Sequence, residues 1–63
     1  MEYKVIENRI HVYPDHSNTT YIFRPDELIK TVETEDTGET NLAVADLADI
    51  LAKVLKKHPE VFT

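Results

Sequence analysis

The apolar positions of residues 2–24 come in short β-branched and aromatic runs separated by polar punctuation. Residues 2–7 (Glu-Tyr-Lys-Val-Ile-Glu), 10–13 (Ile-His-Val-Tyr) and 19–24 (Thr-Thr-Tyr-Ile-Phe-Arg) read as three strands. Asn8-Arg9 is the expected two-residue turn between the first two, because Asn tolerates positive φ. That turn sets Val5 opposite Val12 and Ile6 opposite His11. Residues 14–18, Pro-Asp-His-Ser-Asn, have loop composition.

Pro25-Asp26-Glu27 carries helix-start chemistry, with proline at the first position and acids in the first turn. The next residues pull the other way. Thr31, Val32 and Thr34 are β-branched, and Glu33, Glu35 and Asp36 would crowd a helix C-terminus, where the dipole disfavours anions. The expectation is at most one helical turn and then a strand over 29–35, folded back by a tip at 35–39. Gly38, the only glycine, would take the left-handed position in that tip. Such a hairpin sets Val32 opposite Leu42 and Thr34 opposite Thr40, in its favour, and Glu35 opposite Glu39, against it. The alternative of a helix within 28–44 stays open.

Residues 43–57 are the clearest element. Val44, Leu47, Ala48, Leu51, Val54 and Leu55 recur at helical spacing, with Asp46 and Asp49 early and Lys53, Lys56 and Lys57 late. Pro59 ends the helix, and the tail is expected to fold Phe62 back onto the sheet. The chain is therefore expected to be a single small α+β domain over 1–63. Its small antiparallel β-sheet, of three to five strands, carries one C-terminal amphipathic α-helix packed on one face. One helix cannot cover both faces of a sheet. The open face is expected to hold some of Tyr3, Tyr13, Tyr21 and Phe23 as an aromatic binding surface.

Composition narrows the classes. The chain has no cysteine, which excludes disulfide scaffolds, thiolate zinc sites and Cys nucleophiles. The longest apolar run, residues 42–45, is far short of the ~20 residues of a membrane span. With no signal-peptide pattern at the start, a cytoplasmic location is expected. Twelve carboxylates against seven Lys and Arg give a net charge of −5. Between Thr31 and Ala52 there is no Lys or Arg, but there are six carboxylates. Glu33, Glu35, Asp36 and Glu39 form a candidate acidic face that would require a basic protein partner, unless they serve only solubility. Direct nucleic-acid binding is disfavoured by the same charge.

No catalytic site assembles from these residues. Ser17 is the only serine and lies in loop sequence, and one glycine cannot build a phosphate loop. No cofactor is expected. The reading is a non-enzymatic protein-binding or regulatory module, a candidate homodimer because sixty-odd residues bury a small core. One alternative is a structural or assembly subunit of a larger complex, of the phage type. A second is a small metal-dependent domain using His11, His16 and His58, although their spacing matches no standard site.

Overall fold

The computed structural model describes residues 1–63. The chain first reverses at Glu7-Asn8, whose φ angles of 49° and 62° are both left-handed, as a primed two-residue hairpin turn requires. Strand β1 (Glu2–Ile6) thereby pairs antiparallel with β2 (Arg9–Tyr13), and Val5 lies opposite Ile10 and Tyr3 opposite Val12. The turn sits one residue earlier than expected. A turn at Asn8-Arg9 would have set Ile10 against Glu7, whereas the observed register sets Ile10 against Val5 and Val12 against Tyr3 on the core side. The pairing moves by two residues, an even step, so every side chain keeps its expected face.

A third strand, β3 (Tyr21–Phe23), pairs antiparallel with β2, and the strand order is β1-β2-β3. Two α-helices follow, α1 (Pro25–Thr34) and α2 (Val44–Lys57), and a 3-10 turn spans Pro59–Phe62. The α+β class and the C-terminal helix on a three-stranded antiparallel sheet match the sequence reading. The hairpin over 29–44 does not form.

Residues 25–34 are helical for identifiable reasons. Pro25 occupies the first helical position, and the Arg24 N–H donates to Glu27 Oε2 at 3.4 Å, the carboxylate half of a capping box. The two threonines that argued for a strand donate their hydroxyls to carbonyls four residues back, Thr31 to Glu27 and Thr34 to Lys30, each at 2.8 Å. Leu28 is fully buried and Val32, one turn later, packs against the same core. Burial of one helix face outweighs the propensity of single residues. The helix stops at Glu35, which takes a left-handed φ of 56°. Asn41 is left-handed too, at 54°, while Gly38 is not. The glycine sits instead in a turn where its N–H donates to Asp36 Oδ1.

The core is one cluster. Ile10, Val12 and Phe23 from the sheet meet Leu28 of α1 and Leu47, Ile50 and Val54 of α2. Both helices therefore lie on the same face of the sheet, in a molecule of 30 × 24 × 15 Å. The tail packs against both helices, and Phe62 also packs against the core cluster that the sheet shares with them. Its 3-10 turn touches α1 and α2, with Val61 buried and Phe62 half-buried. No helix is long and apolar enough to cross a membrane.

Candidate functional site

With both helices on one face, strand alternation decides which side chains have no protein cover. The odd positions of β1, Tyr3 and Val5, share the helix side with Ile10, Val12, Tyr21 and Phe23. Glu2, Lys4, Ile6, Arg9, His11, Tyr13 and Ile22 fall on the opposite side. The proposed aromatic surface thus divides. Phe23 is buried and Tyr3 and Tyr21 pack half-buried against the core, so of the four aromatics only Tyr13 lies on the open face. The cause is parity: Tyr3 is two residues from Val5, whereas Tyr13 is one residue from Val12.

The open face has its own pattern. Its central cross-strand row runs Lys4, His11, Ile22. Ile22 is 57% exposed and Ile6 43%. His11 and Tyr13 are half-buried beside them. Charge on this face runs against the chain as a whole. It holds one carboxylate, Glu2, against Lys4 and Arg9, in a protein whose carboxylates outnumber its Lys and Arg twelve to seven. Ile6 and Ile22 have no place among the site residues of the sequence reading, and His11 enters it only as a candidate metal ligand. Their signal was present: each alternates with a residue of the Val5, Ile10, Val12 and Phe23 set.

The acidic segment is placed differently from the expected hairpin. Glu33 lies in the last turn of α1, Glu35 terminates that helix, and Asp36 and Glu39 lie in the loop before α2. All four are exposed and none forms an ion pair. Asp36 and Glu39, with Glu27, Lys30 and Thr31, line a shallow cleft of about 310 Å³. A second cleft of about 370 Å³ lies where Glu2 and Tyr3 approach Asp46, Asp49 and Lys53 of α2. There, Lys53 Nζ lies 2.9 Å from Asp49 Oδ2, and that hydrogen bond and charge raise the Lys53 pKa above its ordinary value. No polar or charged side chain is buried anywhere in the molecule, so no cleft holds a desolvated acid or base.

The histidines are dispersed. His11 is central on the open face, His16 lies in the loop after β2 with φ 59°, and His58 caps α2 with Nδ1 3.4 Å from Glu60 Oε1. No three His, Asp or Glu side chains are grouped to hold a metal ion. Ser17 accepts a hydrogen bond from the Thr19 N–H in the same loop, a turn contact. Comparison with protein-family models, with curated proteins and with solved structures finds no significant match to this chain.

Proposed function

We propose that this protein is a non-enzymatic binding module that docks onto a protein partner through the uncovered face of its sheet. One observation carries the reading: both helices pack on the same side, leaving Ile22 and Ile6 exposed on the other amid Lys4, Arg9 and His11. The partner that fits is a protein surface with an apolar centre and an acidic rim. The apolar centre would cover Ile6, Tyr13 and Ile22, and the acidic groups would meet Lys4 and Arg9. A rigid, hydrogen-bonded sheet presents these side chains in fixed positions, which lowers the ordering cost of binding.

The test is differential capture from the native host by three forms of the tagged chain. They are the unaltered protein, the open-face variant Tyr13→Ala/Ile22→Glu, and the loop variant Glu35→Lys/Asp36→Lys/Glu39→Lys. The reading expects a protein held by the first and third forms and lost from the second, with capture weakening as salt rises. A partner lost only from the loop variant would assign binding to the acidic segment and a basic partner instead. A partner retained by all three would place the contact on neither surface. Either result overturns the reading.

A further inference from the structure

The two outer strands of the sheet, β1 and β3, end it differently. β3 has three residues and leads through Arg24 directly into α1, so its free rim is short. β1 has five. The Glu7-Asn8 turn makes Ile6 and Arg9 the hydrogen-bonded pair that closes the hairpin. Antiparallel alternation then turns the backbone groups of Glu2, Lys4 and Ile6 toward β2, and points the N–H and C=O of Tyr3 and Val5 outward. Among the hydrogen bonds outside helices and strands, none reaches these two residues.

We propose that this rim is a self-recognition edge: β1 pairs antiparallel with β1 of a second copy, about a twofold axis at Tyr3, to make one six-stranded sheet. The charges select both the occupant and the register. With the axis at Tyr3, Glu2 lies directly opposite the partner's Lys4, and Lys4 opposite the partner's Glu2, on the open face. Tyr3 meets the partner's Tyr3 on the helix side, and Val5 meets the partner's Met1. Each of these is a favourable cross-strand pair. An axis at Lys4, the neighbouring register that keeps the faces aligned, would set Lys4 against the partner's Lys4. The alternation of Glu2 and Lys4 is therefore complementary to itself in one register and repulsive in the next.

The size of the core points the same way. Only eight residues are buried, and cysteines and metal-holding clusters are both absent. A domain this small commonly draws further stability from a second subunit. The contact is isologous and closes on itself, and α1 leaves little of the β3 rim for further growth. It runs along the strand rim and shares only Lys4 with the partner-binding reading, whose open-face variant Tyr13→Ala/Ile22→Glu leaves Glu2 and Lys4 unaltered, so the two are tested separately.

Sedimentation equilibrium over micromolar to millimolar concentrations, with amide exchange at each end of the range, tests the pairing. The expected result is a monomer–dimer equilibrium in which the Tyr3 and Val5 amides slow as the dimer fills. Lys4→Glu and Glu2→Lys should each weaken the dimer by about tenfold, since both turn two attractive pairs into repulsive ones. The double swap Glu2→Lys/Lys4→Glu should restore it. Both residues are exposed, and circular dichroism of each variant checks that the fold is intact. A chain that stays monomeric throughout overturns the proposal. So does a dimer whose Tyr3 and Val5 amides exchange at the monomer rate, or a double swap that fails to restore pairing.

Discussion

The two faces of the sheet are made from the same three strands, yet they differ in almost every property. The helix side carries Ile10 and Val12 with no exposed surface, and Phe23 nearly so. The other side carries Lys4, Arg9 and His11 between Ile6 and Ile22, with no layer above them. The difference teaches that stability resides on one side only. Every large buried side chain belongs to the cluster under α1 and α2 or to the tail beside them, so the opposite face is free to change without loss of fold.

Substitutions on the two faces should separate sharply. Leu47→Ala removes a fully buried side chain beneath α2 and should cost about 2–5 kcal/mol. A domain of this length has a total stability of about 3–9 kcal/mol, so thermal denaturation should show a large fall in Tm or no cooperative transition. On the hairpin turn that sets which residue meets which, Glu7 bears a left-handed φ that favours glycine. Glu7→Gly should therefore stabilise by up to about 1 kcal/mol, raising Tm by roughly 4–8 °C.

Glu33 stands in the last turn of α1 at the negative end of the helix dipole, with no cation paired to it. Glu33→Lys should add about 0.3–1 kcal/mol, measured by urea denaturation at low salt, and less as salt rises. Ile22→Thr, on the open face, should change stability by no more than about 0.5 kcal/mol. A loss there as large as that of Leu47→Ala would erase the contrast between the faces.

The smallest effect concerns α2. The Lys53 pKa is raised in the folded state, so its contribution is complete below the ordinary lysine value and is lost as pH rises through the higher folded one. Asp49→Asn should remove that alkaline dependence. Titration of the Lys53 amine by NMR in both forms reads it directly.

The legible parts of this molecule were those where local pattern and tertiary packing agree. The fifteen-residue periodicity of 43–57 could be satisfied only by a helix, and α2 occupies nearly that span. The three strands were legible from their β-branched and aromatic runs. Residues 25–34 were not, because two signals conflicted and the deciding one lay elsewhere in the chain. The threonines favour a strand until their hydroxyls find carbonyls in the preceding turn, and Leu28 and Val32 share a useful face only if the sheet is there to receive them. The loss of the expected hairpin also recast the acidic segment as a helix end and a loop.

The aromatic surface was legible only in part, with Tyr13 alone of the four on the open face, for a simpler reason. Residues were grouped by type rather than by parity, and parity decides the face of a strand. Counting from Val5, Val12 and Phe23 would have separated Tyr13 from the other three and drawn attention to His11 and Ile22. No inspection of residue types could have shown that both helices choose the same face, since that depends on the long-range packing of α1.

The central claim, that one face of the sheet is covered and the other bare, is read most directly from the isoleucine methyl groups. A soluble paramagnetic agent relaxes methyls in proportion to their access to solvent. The structure expects strong relaxation at Ile6 and Ile22, 43% and 57% exposed, and little at Ile10 and Ile50, 0% and 3% exposed. Equal protection of all four in the isolated chain would mean that the second face is covered after all, and the account built on its exposure would be contradicted.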